Sequence, residues 1–149
     1  MNGGVERRLV LRLMAYWRVA ADGGALPTFD ALARLSLDEI RPHLFLLRLR
    51  RDEEPVVERI GPTLAERLPF PVAGLPVSAV PADTMLGRGV AYYRQVLDRG
   101  IPISQGGSFT DSQGISFLFR SVIAPLDDGQ GAIGYLVGAA NGKIAEGDG

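Results

Sequence analysis

The last third of the chain restricts its fold more than any other segment. Residues 115–126 read ISFLFRSVIAPL and residues 132–140 read AIGYLVGAA, with Asp127-Asp128-Gly129-Gln130-Gly131 between them. Aromatic and β-branched runs flanking a short Asp/Gly loop predict a β-hairpin. Both runs exceed the roughly five or six residues of an ordinary strand. A long terminal hairpin behind a helical first half predicts an α+β fold, a curved antiparallel sheet with helices against one face.

The preceding segments supply the rest of that sheet. Residues 5–21 have a helical rhythm, with Leu9, Leu13, Tyr16, Trp17 and Ala20 on one stripe and Gly23-Gly24 as the stop. Val10, Leu11, Met14 and Val19 widen the stripe beyond one sheet face. It therefore predicts a second burial partner, a homodimer interface built from Leu9, Leu13, Tyr16 and Trp17. Ser36-Leu37-Asp38-Glu39 matches a capping box. Residues 44–51 and 55–60 are predicted strands with Asp52-Glu53-Glu54 as their turn. A short helix follows at 61–68, and a proline-rich loop at 69–81. One long helix at 83–99, capped by Asp83, ends at Gly100. An extended segment at 101–110 leads through a turn at 111–114 into the hairpin. Residues 1–149 are expected to form one domain, with a helix at 5–21, a core at 43–141 and a frayed tail at 142–149.

Composition removes several functions. The chain has no cysteine and one histidine, which excludes thiolate metal sites, disulfides and a cysteinyl chromophore adduct. No metal and no cofactor is expected, although a non-covalently held flavin stays formally open. Sixteen basic residues face 17 acidic ones, a net charge of −1 without the basic excess of a nucleic-acid binder. No run approaches the roughly 20 apolar residues of a membrane helix. With no secretory signal visible at the start, a cytoplasmic location is expected.

Several phrases in order carry a resemblance. Leu13-Met14-Ala15-Tyr16-Trp17, Leu26-Pro27, Arg41-Pro42-His43-Leu44-Phe45-Leu46-Leu47, Ile60-Gly61-Pro62-Thr63-Leu64, Arg99-Gly100-Ile101-Pro102 and Ala124-Pro125-Leu126 are similar to the short, single-domain PAS proteins of alphaproteobacteria. Residues 70–80, where that family often has an aspartate-rich phrase, keep only Ala73-Gly74. The resemblance implies a five-stranded antiparallel PAS-like sheet with an extra N-terminal helix. It also implies binding of a small ligand or a protein, dimerisation, and signalling to a partner such as a histidine kinase.

The site residues follow from the sheet pattern. Phe45, Leu47, Tyr93, Phe117, Phe119 and Tyr135 are candidates to line a concavity under the long helix, and core packing accounts for them equally well. Arg120 either faces solvent or turns inward as the anchor of a carboxylate or phosphate. No catalytic residue is expected. His43 follows Pro42 at a strand entrance, where it caps or packs. Asp127 and Asp128 sit in a turn, where they hydrogen-bond local backbone. Two readings remain, a sensor that binds a small molecule and a ligand-free scaffold that binds protein, with a small enzyme third.

Overall fold

The computed structural model describes residues 3–145. Helices α1 (Gly3–Ala21) and α2 (Phe29–Ala33) precede strands β1 (Leu44–Arg50) and β2 (Glu53–Ile60). Helices α3 (Pro62–Glu66), α4 (Met85–Val90) and α5 (Tyr93–Arg99) follow, then β3 (Ile103–Thr110), β4 (Ser116–Asp127) and β5 (Ile133–Ile144). The five strands form one antiparallel sheet in the order β2-β1-β5-β4-β3. The terminal hairpin thus supplies the centre, and β5 carries the first strand pair on its far side.

The sheet is covered on both faces, because side chains of β4 alternate between two cores. Phe117, Phe119 and Ile123 join Phe45, Leu47 and Leu136 in a core with Met85, Leu86, Val90 and Val96 of α4 and α5. Val122, Ala124 and Leu126 join Leu46 and Val137 in a core with Leu9, Leu13 and Trp17 of α1 and Leu32 of α2. Trp17 adds a buried hydrogen bond, its indole Nε1 donating to the Pro125 carbonyl at 2.7 Å. That bond pins the C-terminal half of α1 to the middle of the hairpin.

The wide apolar stripe of α1 therefore has both its partners within the chain. Leu9, Leu13 and Trp17 are buried against the sheet and against Leu37 and Ile40 of the segment after α2, and Tyr16 is half-buried. This corrects the interface expected from Leu9, Leu13, Tyr16 and Trp17: sequence periodicity reports width of burial, and an intrachain segment satisfies it as well as a second subunit. Among the described side chains of α1, the large apolar ones left exposed are Leu11 and Val19, 57% and 62% accessible.

Other boundaries moved for local reasons. The expected capping box forms no helix; a single 3₁₀ turn at Arg41–His43 follows it, and Glu39 pairs with Arg12 of α1. Thr84, not Asp83, caps α4, its Oγ1 accepting from Gly87 N at 3.0 Å. The expected single helix breaks at Tyr92, whose backbone leaves helical geometry and whose side chain turns into the core. Gly100 stops α5 in the left-handed conformation, at φ 66°. Strand β5 continues to Ile144, into the stretch expected to fray, because it pairs with the start of β4 from Gly142 to Ile144. The rest of that stretch, residues 146–149, lies outside the described residues.

Leu13, fully buried beneath α1, should report on this arrangement. Leu13→Ala is expected to cost about 2–5 kcal/mol, and Leu13→Glu to unfold the chain instead of yielding a folded monomer. Urea titrations followed by circular dichroism check both, with Leu11→Glu as the neutral control.

Candidate functional site

The inner face of the sheet, under α4 and α5, is where the candidate residues meet. Phe45, Leu47, Phe117 and Phe119 share one core, and Tyr93 packs partly buried at its margin. Tyr135 does not belong to this group. It pairs with Leu126 and Arg48, so the pleat turns it to the α1 face, where it is half-buried. The expectation that Tyr135 and Phe119 line one concavity is corrected by strand register. Arg120 is exposed, on the face opposite Phe119, beside Gly106 of β3. Of its two alternatives the solvent-facing one holds, and it anchors nothing inside.

The inner face is filled by side chains that use missing ones. Phe45 is paired with Gly138 of β5, and its ring lies where a Cβ on Gly138 would stand. On the other side Gly89 of α4 approaches so closely that a Cβ there would meet Phe45 Cε2 at 3.2 Å. Met85 seats its Cε over Gly142 in the same way, 2.6 Å from where a Cβ would be. Phe109 stacks on Phe117 with centroids 5.2 Å apart and meets Phe119 edge-on at 5.9 Å. Arg67 covers Phe117 at 5.1 Å and Arg88 covers Phe109 at 5.7 Å, closing the outer rim with cation–π contacts.

One polar pair sits within this block. Tyr92 Oη and Ser121 Oγ lie 2.7 Å apart and both are buried. Burial pushes the Tyr92 phenol upward, well above its ordinary value, with the Ser121 bond a smaller opposing influence. The group stays protonated and spends its hydrogen bond on Ser121. Sequence reading named neither residue. Tyr92 lies within the helix predicted at 83–99 but off its apolar stripe, and only the break between α4 and α5 turns it inward.

The other candidates resolve to local roles. Asp127 Oδ1 accepts from the amides of Gly129 and Gly131, and Asp128 Oδ1 from Gln130 and Ala132. The two turn amides hold the Asp127 carboxyl below its usual range. His43 packs with a buried Nδ1 that has no partner, and desolvation lowers its pKa, favouring the neutral ring. Among the described residues no three carboxylate or imidazole side chains gather as a metal site would require.

Neither a family model nor any curated protein matches the sequence. The solved structures do. The light-state LOV domain of the blue-light photoreceptor Aureochrome1 superposes with a TM-score of 0.51 over 74% of this chain and 87% of its own, at 18% identity. A light-oxygen-voltage domain studied with a flavin analogue gives 0.54 over 80% and 87%, at 15% identity. The Rhodobacter sphaeroides LOV protein gives 0.52 over 76% and 70%, at 14% identity. LOV domains are a subfamily of PAS domains. The chain has the PAS fold.

Within that fold the inner face of this PAS sheet does not fit a flavin. A tricyclic ring under α4 would need the volume held by Phe45, Met85 and Phe119, and the polar groups there, Tyr92 and Ser121, already satisfy each other. The sequence also lacks any cysteine for an adduct.

The close fit of Phe45 is measurable. Gly138→Ala should destabilise by about 1–3 kcal/mol through overpacking. In a Phe45→Ala background the same change should cost less, leaving a coupling of about 0.5–3 kcal/mol. A double-mutant cycle from chemical denaturation reads it directly.

Proposed function

We propose that this chain is a cytoplasmic regulatory module of the PAS type that works by protein–protein contact and carries no chemistry of its own. The observation that supports this best is the Phe45 ring clasped between Gly89 and Gly138. With that space filled, α4, α5 and the sheet move as one packed body, and a displacement at one surface reaches another through it.

The contacting surface is the part of the sheet that α1 leaves uncovered. Leu118 is 43% accessible, and Arg120 and Lys143 share its face at the exposed end of β4 and β5. An exposed apolar side chain flanked by cationic ones suits a protein interface. The partner is a second copy of the chain or a signalling protein such as a histidine kinase, as PAS resemblance implies. An enzymatic reading has no support from geometry: the carboxylates at Asp127 and Asp128 serve their turn, and His43 has no nucleophile bonded to it among the described residues.

Three measurements test this. Phe119→Ala should lower stability by about 3–5 kcal/mol, the loss for a ring in solid core, with no small molecule restoring its melting temperature through the inner face. A photo-crosslinking residue at position 118 should trap a single protein partner or a second copy. Leu118→Glu should abolish the contact, read by sedimentation, at unchanged melting temperature. A chain that stays monomeric and uncrosslinked, yet co-purifies with a stoichiometric small molecule, refutes the proposal.

A further inference from the structure

A half-open pocket of about 250 Å³ lies on the opposite face, between α2 and the β1–β2 edge of the sheet. Leu32, Leu37, Leu46 and Ile60 make its walls apolar, and its lining carries two guanidinium groups, Arg41 and Arg59, and no carboxylate. The volume is just below the roughly 300–1,000 Å³ of pockets that hold drug-sized ligands. Apolar walls with cationic groups in the lining describe a site for a small amphipathic anion.

The two arginines differ in how far they are engaged. Arg41 faces Asp38 at 3.6 Å, both side chains well exposed, a pairing of little strength. Arg59 pairs across the strands with Leu46, so it projects on the α2 face, and its guanidinium stacks over Phe29 with its carbon 5.5 Å from the ring centroid. Stacking occupies the flat face of the guanidinium and leaves its N–H edge available to a planar carboxylate. The neighbouring Glu58 is taken by Arg48 at 2.8 Å. Among the described residues no carboxylate lies within 4 Å of Arg59.

The surroundings set direction as well as charge. Phe29 and Arg59 also line a neighbouring open cleft with Asp30, Glu58, Asp127 and Asp128. Asp127 and Asp128 keep their Oδ1 atoms on turn amides, and their charge repels an anion from that side. A carboxylate is therefore admitted beside Arg41 and Arg59, its tail against Leu32, Leu37 and Ile60. We propose that this cavity binds a free medium-chain monocarboxylic acid, with Arg59 as the residue that recognises its head group. The site touches the inner core through Phe45 and Ile60 and does not rest on the protein-contact reading, so either can fail without the other.

Octanoate is the probe, with 1-octanol and octylammonium as controls of equal tail length. Calorimetric titration of the full chain should show saturable, one-to-one binding of octanoate and at least about tenfold weaker binding of both controls, the difference one charge-assisted hydrogen bond makes. Arg59→Gln, at an exposed position, should weaken octanoate by a similar factor without lowering the melting temperature. Ala33→Trp, at the exposed mouth, should block it. Methyl NMR should place the shifts at Leu32, Leu37 and Ile60. Equal affinity for 1-octanol, indifference to Arg59→Gln, no saturation at millimolar octanoate, or shifts confined to Val90 and Val96 under α4 and α5 would each overturn the assignment.

Discussion

The alternation of β4 across the plane of the sheet is the constraint on which the rest depends. From Phe117 to Leu126 every side chain but Leu118 and Arg120 is buried, odd residues under α4 and α5 and even residues from Val122 under α1. A slip of one residue would exchange the two sets, sending Phe119 toward α1 and Val122 toward α4. The register is held from both sides, by β3 from Ile103 to Thr110 and by β5 from Ile133 to Ile144. It is held again by the Trp17 bond to Pro125, which ties a helix far away in sequence to one position on this strand. Two cores sharing one central hairpin explain why that hairpin is so long and so apolar.

Glycines on β5 and α4 decide what the inner face can contain. Gly138, Gly142 and Gly89 are places where a side chain would collide with Phe45 or Met85. The aromatic ring of β1 occupies the middle of this face. Among the described residues, open volume lies at the margins: beneath α2, where the helix is only five residues long and covers the β1–β2 edge incompletely, and beside Ile60, Leu68 and Val72. A rigid centre and an open margin suit a module in which contacts at the surface are relayed by the sheet.

The fold was legible to a large degree. Strand identities, the hairpin, the turn at Asp111 and the left-handed Gly100 all follow from local chemistry: alternation, Asx turns and the absence of a Cβ. The site was legible only as a set of apolar residues. Phe45, Leu47, Phe117 and Phe119 do converge, but Tyr135 went to the wrong face, because alternation gives relative parity within a strand and leaves the alignment between strands open. Leu9, Leu13 and Trp17 were assigned to a second subunit for a related reason. A broad stripe states how much surface a helix buries and is silent about what buries it.

What the sequence determined by itself is therefore the set of elements and the chemistry ruled out: five strands of stated character, no thiol, a single imidazole, balanced charge. Those follow from properties each residue carries with it, its backbone preference, its polarity and its functional group. The tertiary structure alone decided that Phe45 would lie over Gly138, that Tyr92 would meet Ser121, and that Arg59 would stand beside an apolar cavity without a carboxylate partner. These are distances between residues far apart in the chain. They are set by register and by the way two cores pack against one sheet, and no local pattern encodes them.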